Sequence, residues 1–384
     1  MNNDHKVTVT FVMPSNLRTG GGAEIAVMQY ATYADFEKYR INIVQTDHLQ
    51  QTRFSEHEVK ERINFANLYT IEDIDWRFQF LRNHRVTNFI FYLLFRPIIM
   101  AAMKHTKSKK VLSRIKDSDV IYLFQNELQG YFKSFKGKVI GHNGLWVIKP
   151  NSVNFKLVSS GLMWHRIDGF RLFPFNEKYS IDLKRNYNLV LTNGIDTSIY
   201  KPGSEEHNQI VKFLFVGRVD REKGIDIILE SVKKMEKVAS FEMHIAGIGN
   251  MSKIVLESEL PNIKYHGMLK GKELQALYQN CDVFVFPTKW EPFGLVILEA
   301  LSSGLHVLVS DIMRGSFDEF EKTNALEYLK NEANSFTNAM LNSIEHITLF
   351  REMKNDVHKA VEENYDIKVI TNKLFDFFSS ISEK

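Results

Sequence analysis

The chain has 384 residues but contains a single cysteine, Cys281, and only eight prolines. One cysteine excludes an intramolecular disulfide and a cysteine-rich zinc site, which is typical of a reducing compartment. Hydrophobic residues make up 44% of the chain and charged residues 25%, and this balance excludes disordered, collagen-like and coiled-coil proteins. Stability must therefore come from packed cores, and the length predicts two domains.

Long apolar stretches are absent as well. The longest, Phe89 to Met103, is interrupted by Arg96 and Pro97 and is shorter than the roughly 20 residues that span a bilayer. The first residues lack the cationic and apolar regions of a secretory signal. We therefore predict a cytoplasmic protein without a membrane span.

Acidic residues are missing from the whole segment 77–116, which contains ten Lys and Arg residues interleaved with aromatic side chains. Residues 1–200 carry a net charge of +9, whereas residues 201–384 carry −6. A basic, aromatic segment of this kind favours a helix or helical hairpin at an anionic membrane surface, on the inner face of the membrane. The alternative is a solvated helix face whose aromatic side chains lie in the core.

Short β-branched runs alternate with longer amphipathic stretches in both halves, which predicts βα units and parallel sheets. A segment rich in Asn, Gly, Pro and Ser, residues 193–208, separates the halves. The predicted domains are 1–195 and 196–363, followed by a helical segment, 364–384, that packs back toward the first domain. The predicted strands are Val7–Met13, Ile41–Gln45, Val120–Gln125, Lys138–Gly141, Leu189–Thr192, Val211–Val216, Glu242–Ala246, Ile263–Tyr265, Val283–Phe286 and Val307–Ser310.

Two glutamates, Glu291 and Glu299, are separated by seven residues around a predicted helix start near Phe293. In this arrangement the carboxylates can hold opposite ends of one ligand. The amides of Phe293, Gly294 and Leu295 open the helix, and unpaired amides at a helix start form an anion site. The alternative is ordinary helix capping, with Glu299 on the surface.

A second segment, Phe213 to Gly224, ends a predicted buried strand and delivers Arg218 and Lys223 to the same strand-end edge. Two cations at that position can hold a diphosphate, the arginine through a fork of donors and the lysine as a point charge. They would also stabilise a departing diphosphate. Taken alone, both could instead be surface charges.

Together these segments resemble the G-R-x-x-x-x-K-G and E-x7-E signatures of the retaining glycosyltransferases of family four. The resemblance implies the GT-B fold, in which two facing Rossmann-like domains enclose a deep interdomain cleft. It implies that Arg218 and Lys223 bind the donor diphosphate, that Glu291 binds the donor sugar and that Glu299 binds the ribose. The intervening amides, those of Phe293, Gly294 and Leu295, would bind the phosphates and the sugar.

Further matches lie elsewhere in the chain. The glycine run after the first predicted strand resembles the family's glycine-rich turn, which implies that Gly21 and Gly22 bring amides to the donor. His142 ends a predicted strand at a position where the family often has a histidine that contacts the transferred sugar. His266 and Gly267 resemble the family's loop beside the nucleotide base. By this resemblance Glu291, His142, Arg218 and Lys223 form the catalytic group.

The resulting hypothesis is a nucleotide-sugar-dependent enzyme, with a UDP-, GDP- or dTDP-sugar donor, that retains the anomeric configuration. If the basic, aromatic segment docks on anionic lipid, we expect a glycan or lipid-linked acceptor and a role in polysaccharide or glycolipid biosynthesis. We expect neither a cofactor nor a metal, because the lysine and the arginine can neutralise the diphosphate. A soluble or polyanionic acceptor remains the alternative, as does a non-enzymatic polyanion binder. A nicotinamide-dependent dehydrogenase is disfavoured because the glycine run lacks the G-x-G-x-x-G spacing, and we expect no nucleic-acid partner.

Overall fold

Both units of the protein are built on a parallel β-sheet flanked by helices. The computed structural model describes residues 6–20, 22–49, 52–71, 107–124, 132, 135–142, 167–172, 187–203, 210–291 and 293–382. Unit 1 contains Met1–Leu191 and Thr371–Lys384, and unit 2 contains Thr192–Ile370. The predicted α/β class is confirmed.

The elements described in unit 1 are, in chain order, β1 (Val7–Val12), α1 (Gly22–Tyr33), β2 (Tyr39–Thr46), α2 (Glu56–Arg62), β3 (Asn67–Ile71), α3 (Lys107–Arg114), β4 (Val120–Leu123), β5 (Lys138–His142), β6 (Gly169–Leu172) and β7 (Leu189–Val190). The strands form one sheet in the order β3-β2-β1-β4-β5-β6-β7.

The elements described in unit 2 are β8 (Val211–Val216), α4 (Ile225–Met235), β9 (Phe241–Ala246), α5 (Ser252–Leu256), β10 (Ile263–Gly267), α6 (Gly271–Gln279), β11 (Val283–Phe286), α7 (Leu295–Ser302), β12 (His306–Ser310), α8 (Asp318–Lys322), β13 (Leu326–Leu329), α9 (Ala333–Glu345) and α10 (Ile347–Tyr365). Their sheet has the order β10-β9-β8-β11-β12-β13. The last helix, α11 (Ile367–Ser382), begins in unit 2 and ends in unit 1.

The strand order of each sheet identifies a switch point, which is where ligands usually bind in open parallel sheets. In each sheet the chain starts in the middle, moves outward to one edge and then returns to build the other side. The strand order therefore reverses beside the starting strand, between β1 and β4 in unit 1 and between β8 and β11 in unit 2. In open parallel sheets ligands bind at the carboxyl ends of the strands at such a switch point.

Aromatic side chains cover the middle of the unit 1 sheet. Phe11 of β1 contacts Tyr30 of α1, with ring centroids 6.0 Å apart. It also contacts Phe375 and Phe378 of α11, each at 6.1 Å. The phenylalanines near the carboxyl end of the sequence thus complete the core of unit 1.

Three strands escape the sequence prediction, namely β3, β6 and β13. β3 is an edge strand with only one buried residue, so its pattern lacks the continuous apolar run of a central strand. β6 has only four residues, among them a buried arginine. In β13, Leu-Glu-Tyr-Leu, a glutamate interrupts the apolar residues.

Most of the basic segment 77–116 lies outside the described residues, and only its last part, including α3, is described. There Val111 and Leu112 pack against the core of unit 1, whereas Lys109, Lys110 and Arg114 are exposed. This part of the segment is an amphipathic helix on the unit 1 surface. Within the described residues, no helix combines the length and apolarity needed to cross a membrane.

Candidate functional site

The predicted site residues of unit 2 follow two strands that are neighbours in the sheet. β8 is followed by Arg218 and Lys223, and β11 is followed by Glu291. β8 and β11 pair in parallel at the switch point. Their carboxyl ends therefore meet at one edge, and the two segments converge there.

Lys223 and Glu291 form an ion pair at this edge. The Lys223 Nζ donates to Glu291 Oε2 at 2.8 Å and to the Trp290 carbonyl oxygen at 2.7 Å. The side chains are only 9% and 18% exposed, so both charged groups are largely shielded from water. The Asp220 side chain accepts a hydrogen bond from the Lys223 amide at 2.9 Å. This bond fixes the backbone of the turn from which the lysine side chain extends.

The other carboxylate oxygen of Glu291 faces the start of α7. Glu291 Oε1 accepts hydrogen bonds from the amides of Phe293, at 3.4 Å, and Gly294, at 3.2 Å. These amides were predicted to be unpaired, and in the structure the carboxylate pairs them. The lysine and the helix start thus form one cradle for a negative charge, which agrees with the preference of helix starts for anions.

The turns on both sides of this cradle require glycine. Gly224 has φ +79°, and a Cβ there would lie 2.0 Å from the Pro287 carbonyl oxygen. Gly294 has φ +83° and precedes α7, which begins at Leu295 rather than at the predicted Phe293. Because the helix begins two residues later, Glu299 lies about one turn into it instead of two.

Arg218 is exposed and forms ion pairs with two carboxylates that were not predicted as site residues. Its guanidinium contacts Asp220 Oδ2 at 2.9 Å and Glu222 Oε2 at 3.1 Å. Both acidic residues lie inside the G-R-x-x-x-x-K-G segment. Their positions two and four residues after the arginine could have indicated the ion pairs from the sequence. These two ion pairs fix the direction of the guanidinium.

Glu299 is a half-buried residue of α7 that is paired with a tyrosine. The Tyr278 hydroxyl donates to its Oε2 at 2.9 Å. Burial, reinforced by the neighbouring carboxylate, raises the pKa of Tyr278 well above its ordinary value. The phenol therefore keeps its proton and remains a hydrogen-bond donor to Glu299.

His266 stands on the carboxyl end of β10 and belongs to a chain of three polar side chains. Its Nε2 lies 2.9 Å from His244 Nδ1, and His244 Nε2 lies 3.1 Å from Glu242 Oε2. The two imidazoles are nearly parallel, with centroids 5.2 Å apart. Burial lowers the pKa of both histidines, so at neutral pH both rings are uncharged hydrogen-bonding groups. Glu242 and His244 are two residues apart on β9, so their side chains lie on one face of the sheet. This spacing could have indicated the hydrogen-bonded series from the sequence.

In unit 1 the predicted glycine-rich turn is described in part. Gly21 lies outside the described residues, while Gly22 is exposed and begins α1. Gly20 ends a 3-10 turn with φ +66° and its carbonyl accepts from Arg53 Nη1 at 3.0 Å. The described part of the turn follows β1, the first strand, as predicted, and β1 borders the switch point of unit 1.

His142 is the last residue of β5 and is buried. Its Nδ1 lies 2.5 Å from the Tyr122 hydroxyl, and its ring stacks on Phe124 with centroids 5.1 Å apart. Burial, with a smaller contribution from the positive charge of Arg171, holds the pKa of His142 well below its ordinary value. The imidazole is therefore neutral.

No group of three or more His, Cys, Asp or Glu side chains within the described ranges is arranged to hold a metal ion. Among the described residues, an Asp-x-Asp triplet, Asp117 to Asp119, precedes β4 at the amino end of that strand. Asp119 Oδ2 accepts there from the Thr8 amide at 2.8 Å. This triplet links two strands of unit 1 at the edge opposite the strand ends where ligands bind.

Part of the chain is similar to known proteins. Residues 198–357 match the family described as "Glycosyl transferases group 1". An uncharacterized protein of the cps region of Klebsiella pneumoniae is 33% identical over 131 residues, which are 32% of this chain and 36% of that protein. An uncharacterized glycosyltransferase of Methanocaldococcus jannaschii is 34% identical over 104 residues, 26% of this chain and 27% of that protein. The matches thus span about a third of these relatives' lengths.

Solved structures match over nearly the whole chain. Sucrose-phosphate synthase from Thermosynechococcus elongatus has a TM-score of 0.70 at 15% identity, covering 98% of this chain and 99% of that one. Anabaena HepE, solved with UDP and glucose, has a TM-score of 0.68 at 14% identity, covering 97% and 99%. The fold is therefore the GT-B fold of these glycosyltransferases, and the segment that bears the Lys223–Glu291 cradle falls within the part that matches the group 1 family.

Proposed function

We propose that this protein transfers a sugar from a nucleotide-sugar donor to an acceptor hydroxyl with retention of the anomeric configuration. The observation that carries the proposal is the cradle at the carboxyl ends of β8 and β11. There a buried lysine and the amides at the start of α7 converge on one carboxylate. Donors arranged around a negative charge at a switch point suit a diphosphate.

The cradle retains capacity for a ligand. An ammonium group has three hydrogens, and the described residues supply acceptors for two of those of Lys223. A donor phosphate oxygen can take the third hydrogen. The Leu295 amide at the first position of α7 has no acceptor within its own helix, so it is a second contact for the same phosphate.

In the reaction that we propose, the bond between the sugar C1 and the diphosphate oxygen breaks while the acceptor oxygen bonds to C1 from the same face. The acceptor proton goes to an oxygen of the departing diphosphate. Lys223, Arg218 and the helix-start amides stabilise the negative charge that develops on the diphosphate. Such stabilisation by preorganised donors is usually the largest single contribution to an enzyme's rate enhancement. The charge of these groups makes a metal unnecessary.

The remaining contacts follow the resemblance of the sequence motifs. Glu291 binds the donor sugar, Glu299 the ribose and His266 the base. The amides of Gly21 and Gly22 bind the donor, and His142 contacts the transferred sugar. HepE, a structural neighbour solved with UDP and glucose, supports the choice of a nucleotide-sugar as the donor class.

A donor-hydrolysis panel tests the proposal without knowledge of the acceptor. Full-length protein is incubated with UDP-, GDP- and dTDP-sugars in the presence of EDTA, and nucleoside diphosphate release is measured. We expect slow release from one nucleotide class, with the α- or β-configuration of the donor preserved in the first-formed sugar. Release that stops in EDTA and returns only with manganese or magnesium would contradict the metal-free mechanism. Hydrolysis of none of the donors, together with tight salt-sensitive polyanion binding, would favour the non-enzymatic alternative.

For the acceptor we propose a lipid-linked or growing surface glycan, in polysaccharide or glycolipid biosynthesis, reached through peripheral binding to an anionic membrane. The exposed lysines of α3, Lys109 and Lys110, support this proposal because each cation near such a surface contributes about 1 kcal/mol. A soluble or polyanionic acceptor is the alternative, and it predicts binding that is indifferent to lipid.

A further inference from the structure

Three polar side chains in unit 1 lie on one face of the sheet because of their strand register. Tyr122 of β4 pairs with Ile140 of β5, and His142 of β5 pairs with Arg171 of β6. Ile140 and His142 are two residues apart on one strand, so their side chains point to the same face. The register therefore brings Tyr122, His142 and Arg171 together.

These side chains form a continuous chain of hydrogen bonds. Arg171 Nη1 lies 2.6 Å from the Tyr30 hydroxyl and 3.5 Å from the Tyr122 hydroxyl. The Tyr122 hydroxyl lies 2.5 Å from His142 Nδ1. Arg171 is 1% exposed and its Nε also donates to the Leu191 carbonyl oxygen at 3.2 Å. Packing thus fixes the arginine, and the arginine orients both phenols.

The direction of each hydrogen bond follows from the chemistry of the groups. A guanidinium has only donors, so the Tyr122 oxygen accepts from Arg171. Burial raises the pKa of Tyr122, so the phenol keeps its proton. That proton is then directed at His142 Nδ1, which must accept it. A neutral imidazole carries one ring proton, and with Nδ1 as acceptor this proton is on Nε2.

We propose that Tyr122, oriented by Arg171, is a positioning residue that fixes His142 as the neutral tautomer with its proton on Nε2. The catalytic consequence rests on the proposed function, in which His142 contacts the transferred sugar. In this tautomer Nε2 donates a hydrogen bond, so it recognises an oxygen such as a sugar hydroxyl or a phosphate oxygen. With the other tautomer Nε2 would only accept, and the same contact would lose its donor.

The tautomer can be measured directly in the full-length protein. The histidines are labelled with ¹⁵N in the ring, and the His142 signals are identified by their loss in His142→Gln. We expect a pyridine-type shift for Nδ1 and a pyrrole-type shift for Nε2 at neutral pH. In Tyr122→Phe we expect both shifts to move toward averaged values, because neither tautomer is then selected. Tyr30→Phe is the matched control, since it also removes a phenol from Arg171 but leaves the hydrogen bond between Tyr122 and His142 in place, and its His142 shifts should equal those of the wild type.

Turnover is the second measurement. In donor hydrolysis we expect Tyr122→Phe to lower kcat about tenfold, the equivalent of one hydrogen bond, with little change in KM, and Tyr30→Phe to stay close to wild type. Wild-type protein with the proton on Nδ1, or unchanged His142 shifts in Tyr122→Phe, would overturn the proposal whatever the activity. Absence of donor hydrolysis in wild-type protein that has the expected shifts would instead contradict the proposed function and leave the tautomer established.

Discussion

At the scale of single residues, Lys223 is the group whose removal affects both stability and chemistry. Lys223→Ala leaves the carboxylate of Glu291, which is only 18% exposed, with two amide donors and no cation. Removing one partner of a buried pair costs several kcal/mol, and we expect unfolding in denaturant to show a loss of about 2–4 kcal/mol. Donor hydrolysis should fall on the order of a hundredfold, as it does when one preorganised donor is lost elsewhere.

The matched control is Lys289→Ala. Lys289 pairs with Asp226 at 2.7 Å, but these side chains are 42% and 33% exposed. Exposed pairs contribute about 0–1 kcal/mol, so this variant should keep its stability within about 1 kcal/mol and its turnover close to wild type. Equal effects of the two substitutions would contradict the role given to Lys223.

Substitution of Glu299 should affect donor binding more than the rate of the chemical step. We expect Glu299→Ala to raise the donor KM at least about threefold with a small change in kcat, because a ribose contact is made equally in the ground state and in the transition state. Tyr278→Phe removes only the 2.9 Å hydrogen bond to this carboxylate, and its KM should lie between those of Glu299→Ala and the wild type. Steady-state kinetics on the preferred donor decide the point. A large fall in kcat with an unchanged KM would place Glu299 at the reacting atoms instead.

The burial of His306 makes the stability of unit 2 depend on pH. It is buried against Phe350, with ring centroids 3.8 Å apart, and donates from Nδ1 to the Asn324 carbonyl oxygen. Burial lowers its pKa from 6.5 to about 4. Below pH 6.5 the unfolded chain binds a proton that the folded protein does not, so stability falls from pH 6.5 to about 4, by about 3 kcal/mol in all.

Denaturant unfolding at a series of pH values checks this expectation. His306→Gln should cost stability at pH 8 but show a shallower loss toward pH 4 than the wild type. His346→Gln, at an exposed position, should keep the wild-type slope. A difference between wild type and His306→Gln that does not change with pH would show that His306 does not titrate as its burial indicates.

At the scale of secondary-structure elements, the start of α7 depends on one glycine. Gly294 has φ +83°, and a Cβ there would lie 2.8 Å from Ile297 Cδ1 and 3.4 Å from Glu291 Cγ. Gly294→Ala therefore adds steric displacement of the cradle to the cost of a left-handed residue, which is about 1–2 kcal/mol. Small displacements of catalytic groups have large effects on rate, so we expect donor hydrolysis to fall at least about tenfold.

Gly271 at the start of α6 provides the control. It has φ +51°, and a Cβ there would meet no atom within 4 Å. Gly271→Ala incurs the same backbone cost without displacing any neighbour, so it should lose a similar amount of stability but keep the wild-type hydrolysis rate. If both alanine variants retain full turnover, the amides of Phe293 and Gly294 are not part of the donor site.

The same elements explain how much the sequence could predict. Central strands such as β8 and β11 consist almost entirely of buried apolar residues, and their predicted limits match the structure. The edge strand β3 lacks that pattern because only one of its residues is buried. The motif residues around Lys223 were also found, since glycine, lysine and glutamate at fixed spacing carry local information.

Contacts between distant segments were not predictable in this way. The pairing of Glu291 with Lys223 joins residues 68 positions apart, and the chain from Arg171 to His142 depends on strand register. A single sequence specifies the residue types but not the register. For this reason Tyr122, Arg171 and Tyr278 were missed.

At the scale of the whole molecule, the opposite charges of the two sequence halves, +9 for residues 1–200 and −6 for residues 201–384, predict how the protein approaches a membrane. An anionic surface attracts the basic half and repels the acidic half. Screening has a length of about 8 Å at physiological ionic strength, so the attraction depends on the exposed cations nearest the lipid. On α3 these include Lys109 and Lys110.

Flotation of the full-length protein with vesicles tests this approach. We expect flotation with vesicles that contain phosphatidylserine or phosphatidylglycerol, and little with phosphatidylcholine alone. The double substitution Lys109→Gln and Lys110→Gln should weaken binding on the order of 30-fold, since each cation contributes about 1 kcal/mol. The same change at Lys233 and Lys237, exposed on unit 2, should weaken it far less, because those lysines lie in the acidic half. Binding that ignores lipid charge would remove the membrane from the proposal and favour a soluble acceptor, because α3 would then be an ordinary solvated face of unit 1.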